Sequence, residues 1–150
     1  MKQIRFTREG FEKLKQDYED LKAQRPEAVE HLKRAREMGD LSENGYYKAS
    51  RAKLSSIDRR LYQFSLSLKQ AVIIDKPQGS GISVGSIVTL FDGKKEINYT
   101  IVGDLEAHPL DGKISLLSPL GRAIEGKKAG DEIVFRAPSA EIKYKIISVS

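Results

Sequence analysis

A short acidic segment, residues 39–44 (GDLSEN), holds the side chains best suited to chemistry. Asp40 and Glu43 supply two carboxylates. Mg²⁺ prefers oxygen ligands in proteins, often one or two carboxylates together with substrate phosphates. Ser42 and Asn44 carry polar groups that can orient water or a phosphate oxygen. Because two acids on one loop bind such a cation weakly alone, we interpret the segment as presenting them to a metal ion or cationic partner held by another molecule.

A purely structural interpretation of this segment stays open. Gly39 suits the left-handed position that ends a helix. Asp40 and Glu43 have the spacing of a capping box at the start of the next helix. Capping free backbone amides contributes about 1 kcal/mol. On this interpretation the carboxylates stabilise a helix and bind no ligand.

Two amphipathic segments flank the acidic segment, and their three-four spacing predicts an antiparallel coiled-coil hairpin over residues 1–75. Thr7 is a suitable N-cap for a first helix from about Arg8 to Glu37. Pro26 predicts a bend rather than an end, because the periodicity resumes in register. The first seam comprises Phe11, Leu14, Tyr18, Leu21, Ala28, Leu32 and Ala35, with a polar break at Arg25. The second comprises Tyr47, Ser50, Leu54, Ile57, Leu61, Phe64, Leu68 and Ala71.

Residues 76–150 predict a small β-sheet domain with one short helix, which makes the whole chain α+β. Asp92 and Gly93 mark a hairpin turn. Ser118 and Pro119 have the types preferred at the N-cap and first position of a helix, which we expect to end near Gly126. The expected strands are 86–91, 97–102, 113–117, 132–136 and 142–149.

Composition restricts the remaining possibilities. The chain of 150 residues has no cysteine, which excludes disulfides and cysteine-bound zinc. Its net charge is +5, with sixteen basic against twelve acidic residues in 1–75 and ten against nine in 76–150. Such an excess is a weak indication of nucleic-acid contact. No signal peptide or membrane span is apparent, so we expect a cytoplasmic monomer that does not contact membranes.

Four blocks of the chain resemble the bacterial Gre transcript-cleavage factors (GreA and GreB), and the resemblance covers essentially the whole chain. The acidic segment with its flanks is the most specific block. In chain order the blocks are 7–14 (TREGFEKL), 35–47 (AREMGDLSENGYY), 101–104 (IVGD) and 118–127 (SPLGRAIEGK).

The resemblance implies a coiled coil followed by an FKBP-like domain. In this family the globular domain docks on RNA polymerase and the coiled coil enters the secondary channel. The polymerase active site then cuts the 3′ end of backtracked RNA. Asp40 and Glu43 would be the acids that help the polymerase hold a second Mg²⁺, with Ser42 and Asn44 in support. The factor itself would activate the polymerase and hold no cofactor alone.

The resemblance also implies roles for basic and docking residues. Arg36 and Arg51 fall where the family contacts RNA, and Lys48 is nearby. Guanidinium groups pair with phosphate oxygens in a fork, although ordinary solvated charges paired loosely with acids such as Glu37 remain the alternative. Pro119 and Arg122 are the candidate polymerase-docking residues; alternatively they are a helix start and an exposed charge.

One departure from the family pattern keeps other functions open. The family often has Ala-Glu-Tyr after the asparagine, whereas this chain has Gly45, Tyr46 and Tyr47. The missing acid is compatible with a Gre-like inhibitor that occupies the channel without cleavage. A structural coiled-coil adaptor is a second alternative. A prolyl isomerase is a third, and it needs an aromatic-lined pocket built from Phe91, Tyr99, Phe135 and Tyr144.

Overall fold

The computed structural model describes residues 2–39, 44–77 and 79–150. The chain divides into two compact units. One, the sheet unit, combines Met1–Phe11 with Ala71–Ser150, and the other, the helical unit, is Glu12–Gln70.

Two long helices form the helical unit, as the seams predict. Helix α1 is Arg8–Arg36 and helix α2 is Gly45–Gln70. They run antiparallel, because Ala35 near the end of α1 contacts Asn44 directly before α2, whereas Arg25, earlier in α1, pairs with Asp58, further along α2. The positions buried between them all belong to the predicted seams: Leu21, Ala28, Ala35, Ser50 and Ile57. The prediction that Pro26 does not end the first helix is confirmed, since α1 passes through it.

The second seam was predicted one residue too long. Helix α2 ends at Gln70, and Ala71 instead begins strand β2, Ala71–Ile73. This strand pairs in parallel with β1, Ile4–Phe6, in the register Ile4 to Ala71. The β-branched residues of β2 favour an extended backbone once a partner strand is available. The sequence pattern alone does not reveal that partner, because the two strands are far apart in the chain.

A five-stranded sheet forms most of the sheet unit. Its strands are β3 Ile87–Phe91, β4 Glu96–Val102, β5 Lys113–Ser115, β6 Glu132–Ala137 and β7 Ala140–Val149. The spatial order is β5-β4-β3-β7-β6, antiparallel throughout except for the parallel pair β4 and β5. All five predicted strands are present. The predicted turn between β3 and β4 is also confirmed, because the Asp92 carboxylate accepts the N–H groups of Lys94 and Lys95 at 2.8 and 2.9 Å.

Helix α3, Pro119–Ile124, closes one end of this sheet core. Ser118 caps it as predicted, accepting the Gly121 N–H at 3.1 Å. A side chain at Gly121 would overlap the Ser115 carbonyl, so glycine lets α3 lie directly against the end of β5. The buried core comprises Ile82, Val84, Val88, Leu90, Ile101, Ile114, Leu116, Ile124, Ile133, Tyr144 and Ile146.

Within the described parts of the chain, no helix combines the length and the apolar character needed to cross a membrane.

Candidate functional site

The acidic loop (residues 39–44) is described only at its two ends. Asp40, Ser42 and Glu43 lie outside the described residues. Gly39 has a φ of 103°, a backbone conformation that favours glycine, in agreement with its predicted place after the first helix. At the other end stands Asn44, directly before α2.

Asn44 does two things at the start of α2. Its side-chain oxygen accepts the Tyr47 N–H at 3.1 Å, which is the bond of an N-cap residue. Its side-chain nitrogen donates to the Ala35 carbonyl at 3.1 Å, near the end of α1. Asn44 therefore caps one helix and ties it to the other.

The capping-box interpretation of Asp40 and Glu43 is wrong for α2. That interpretation needs Asp40 as the N-cap, but α2 begins at Gly45 behind Asn44. Sequence reasoning favoured the spacing of the two acids and overlooked Asn44. The signal was present, because asparagine is among the best N-cap residues.

Three basic side chains lie close to the acidic loop in the chain. Arg36 ends α1, and Lys48 and Arg51 occupy the first two turns of α2. All three are exposed, and none forms an ion pair with a residue of 2–39, 44–77 or 79–150. In particular, the loose pairing with Glu37 is not formed.

Arg25, in the middle of the helical unit, differs from these three basic residues because it forms an ion pair. Arg25 Nε donates to the Asp58 carboxylate at 2.6 Å. This hydrogen bond, together with the positive charge of Arg25, lowers the pKa of Asp58. Arg51 lies seven residues before Asp58 and therefore on the same flank of α2. Arg25, the polar break in the first seam, thus has an ion-pair partner in α2, whereas Arg51 has no ion-pair partner within the described residues.

Tyr46 and Tyr47 have different surroundings. Tyr47 is half-buried at the end of the seam, as predicted. Tyr46 is 40% exposed, and its ring contacts the His31 ring of α1, with the centroids 6.3 Å apart. Tyr46 precedes Asp58 by twelve residues, about 120° around the helix axis at 3.6 residues per turn, so the two side chains leave α2 in different directions.

A second cluster of charges surrounds the start of α1, and sequence reasoning missed it. Arg5 pairs with Asp104 through its guanidinium at 2.9 Å and donates its backbone N–H to the same carboxylate at 2.7 Å. The Asp104 side chain is only 7% exposed. Hydrogen bonding to Asp104 raises the pKa of Arg5. The available signal was Asp104 itself, an acid two residues after β4, whose last two residues are buried.

The same cluster holds the first turn of α1. The hydroxyl of Thr7 accepts the Gly10 N–H at 3.1 Å, which confirms Thr7 as the N-cap. Both the Thr7 hydroxyl and the Thr7 N–H donate to the Glu106 carboxylate, the N–H at 2.8 Å. Side chains at Gly10 or Gly103 would overlap Glu106. These acids are thus fully engaged in the structure of the sheet unit.

The predicted docking residues lie on α3. Pro119 occupies its first turn behind the Ser118 cap, and Arg122 lies three residues further on. Both side chains are exposed. The geometry is compatible with docking and also with a simple helix start.

Other candidate sites receive little support. No group of three His, Asp or Glu side chains in the described residues is arranged to hold a metal ion. Of the aromatic residues that an isomerase pocket would need, Tyr144 is buried in the core, where burial raises its pKa. Tyr99 and Phe135 pack against that core. Tyr99, Phe135 and Tyr144 therefore contribute to the hydrophobic core of the sheet unit.

Fold and site together define an α+β protein in which two antiparallel helices carry exposed cations near an acidic loop. Comparison with known proteins gives the family. The profile described as transcription elongation factor, N-terminal, matches residues 4–73, and that described as transcription elongation factor, GreA/GreB, C-term, matches residues 77–150. The chain belongs to the GreA/GreB family of transcription elongation factors.

Individual relatives are similar over nearly their whole length. Transcription elongation factor GreA of Nitratiruptor sp. is 42% identical over 147 residues, 95% of this chain and 90% of the relative. That of Geobacillus kaustophilus is 42% identical over 154 residues, 99% and 97% of the two chains. Among solved structures, GreA factor homolog 1 (Gfh1) of Thermus thermophilus shows 27% identity over 99% of each chain, with a TM-score of 0.48.

Proposed function

We propose that this protein binds RNA polymerase, inserts its helical hairpin into the secondary channel and stimulates Mg²⁺-dependent cleavage of backtracked RNA by the polymerase active site. The observation that carries the proposal is the Asn44 cap. Because Asn44 starts α2, the helix does not need Asp40 as its N-cap. This removes the main structural explanation for the two acids and favours a role toward a ligand.

The donor set of the acidic loop suits a hard divalent cation. Asp40 and Glu43 supply carboxylates, the ligand type that Mg²⁺ prefers. In two-metal hydrolysis such ions activate a water nucleophile and stabilise the leaving oxygen. The task of this chain is to add carboxylates to a cation that the polymerase also holds. Ser42 offers a hydroxyl, whereas the side chain of Asn44 is engaged with Ala35 and Tyr47 and acts by shaping the end of the loop.

The three exposed cations near the acidic loop are assigned a role in binding the RNA. Arg36, Lys48 and Arg51 are exposed next to the acidic loop, and a phosphate backbone is the anion that such a group attracts. Arginine binds phosphate in a bidentate manner, so Arg36 and Arg51 are expected to contribute more than Lys48. Their role is to hold the 3′ segment of the backtracked RNA while the polymerase cleaves it.

Docking is assigned to the sheet unit. Pro119 and Arg122 lie three residues apart on α3 and are both exposed, which supports a surface that contacts the polymerase. The protein acts as a monomer and activates the polymerase, whose own active site performs the cleavage.

A transcript-cleavage assay on a backtracked elongation complex tests the proposal. We expect wild-type protein with Mg²⁺ to shorten the RNA, and Asp40→Asn to lose most of this stimulation because the amide is a poorer ligand for Mg²⁺. Since Asn44 caps α2, the far-ultraviolet circular dichroism of Asp40→Asn should be unchanged.

Glu19→Gln is the matched control, because Glu19 is an exposed acid of the same hairpin that lies far from the loop in sequence. It should cleave like the wild type. Uniform slowing of the polymerase without shortened RNA would favour the inhibitor. Equal cleavage by Asp40→Asn and the wild type would refute the role of Asp40.

A further inference from the structure

We propose that Tyr46 is a stacking residue for a base of the RNA that is cleaved, an inference that rests on the proposed function. Tyr46 is 40% exposed in the first turn of α2, two residues after Asn44, the cap that ends the acidic loop. Aromatic rings exposed in this way form platforms on which bases of single-stranded nucleic acids stack. Tyr47 does not qualify, because it is half-buried in the seam.

The ring of Tyr46 is braced from the neighbouring helix. Its centroid lies 6.3 Å from that of His31, at an interplanar angle of 47°. His31 lies on α1 beside Glu27, with its Nε2 3.6 Å from a carboxylate oxygen of that residue. A ring that already has a fixed neighbour loses less conformational entropy when it binds a ligand.

The backbone next to the ring is also fixed, and the residue itself is exposed. Asn44 binds both Tyr47 and Ala35, which ties the first turn of α2 to the end of α1. A Cβ added at the neighbouring Gly45 would meet no atom within 4 Å, and Tyr46 itself is 40% exposed. The ring therefore combines a fixed backbone position with surface that a ligand can reach.

The charge of α2 identifies the ligand as a polyanion. Between Gly45 and Gln70 the helix carries six basic residues and a single acid, Asp58. Such a helix attracts a nucleic acid strand. Arg51 lies on the same side of α2 as Asp58, whereas Tyr46 lies beside His31 of α1. Arg51 thus offers a charge for a phosphate and Tyr46 a ring for a base, both within the first two turns of α2.

The test compares backtracked complexes whose protruding RNA carries either normal bases or abasic sites. With normal bases, Tyr46→Ala should raise the concentration of protein that gives half-maximal cleavage by about fivefold or more, the effect expected for one lost stack. Tyr46→Phe should behave like the wild type because it keeps the ring. With abasic RNA, wild type and Tyr46→Ala should become equal. His31→Ala should give a smaller shift in the same direction.

Tyr62→Ala is the matched control, since Tyr62 is a 65% exposed tyrosine of the same helix that lies far from the acidic loop in sequence. It should leave cleavage unchanged on both RNAs. A fluorescent purine analogue in the protruding RNA gives a readout independent of cleavage, and its quenching by the wild type should be lost in Tyr46→Ala.

Several outcomes would overturn the inference. If Tyr46→Ala cleaves normal RNA like Tyr62→Ala, the stacking role fails while the proposed function stands. An equal weakening on normal and abasic RNA would mean that the ring contacts the polymerase protein instead of a base. If wild-type protein stimulates no cleavage, the proposed function fails first, and the stacking role that depends on it fails with it.

Discussion

The start of α1 and the loop end of the hairpin use charged residues in opposite ways. At the start, Asp104 and Glu106 are engaged by Arg5 and Thr7 through several short hydrogen bonds. At the loop end, Arg36 and Arg51 have no ion-pair partner within the described residues. Charges with complete sets of partners stabilise a fold, whereas exposed and unpaired charges remain free to bind a ligand. The comparison distinguishes acids that stabilise the sheet unit from the exposed cations that we propose bind RNA.

The largest difference in stability is expected when one glycine near the start of α1 and one at the loop end are each replaced by alanine. Gly103→Ala places a Cβ against the Arg5 carbonyl and the Phe6 backbone, where little can move. We expect it to destabilise the sheet unit by about 3 kcal/mol. Chemical denaturation followed by the near-ultraviolet circular dichroism of buried Tyr144 measures the effect.

Gly45→Ala is the counterpart at the loop end. Its Cβ would meet no atom within 4 Å, and alanine is the better helix former. We expect the helical unit to gain about 0.5 kcal/mol. A loss of stability in Gly45→Ala, or none in Gly103→Ala, would contradict the comparison.

Removing one acid at the start of α1 should have the next largest effect. Asp104→Asn keeps the shape of the side chain but removes the closer of the two charged partners of Arg5, leaving only Glu125 at 3.5 Å. Because the carboxylate is largely buried, we expect a loss of about 2 kcal/mol in the free energy of unfolding. The control is Asp75→Asn, which breaks the exposed pair with Arg8 and should change stability little. Equal losses in the free energy of unfolding for Asp104→Asn and Asp75→Asn would show that burial of the carboxylate does not determine how much the pair contributes.

Asn44 allows its two roles to be separated. Asn44→Ala removes the cap and should destabilise the helical unit by about 1 kcal/mol, measured by far-ultraviolet circular dichroism during thermal unfolding. Asn44→Asp keeps the acceptor for the Tyr47 N–H and loses only the donor to the Ala35 carbonyl. It should therefore unfold closer to the wild type. If Asn44→Ala unfolds at the same temperature as the wild type, Asn44 is not the residue that stabilises the start of α2.

The smallest effect concerns the pKa of Asp58. The hydrogen bond and charge of Arg25 lower this pKa, so the stabilising contribution is complete above the ordinary carboxyl pKa of about 3.9 and is lost as pH falls through the lowered value. Carboxyl chemical shifts measured by NMR during an acid titration report it directly. Arg25→Gln should move the pKa of Asp58 back toward its ordinary value. An unchanged titration in that variant would mean that the pair is not formed in solution.

Local patterns were sufficient for much of the fold. The two seams predicted α1 and α2, and Thr7 and Ser118 were found at their caps as expected. These predictions succeed because helix periodicity and capping depend on neighbours within about four residues. The five strands of the large sheet were recognisable for a similar reason, although their order was not. The failed capping box shows the limit, because two residues competed for one cap and spacing alone did not choose between them.

Sequence alone determined the paired helices, the acidic loop with its nearby cations, and the resemblance that pointed to transcription elongation. Only the tertiary structure decided that Ala71 leaves the helix to pair with Ile4, that Arg5 is held by Asp104, and that Tyr46 meets His31. Each of these contacts joins residues distant in the chain. Its free energy depends on burial and geometry that appear only after the chain has folded.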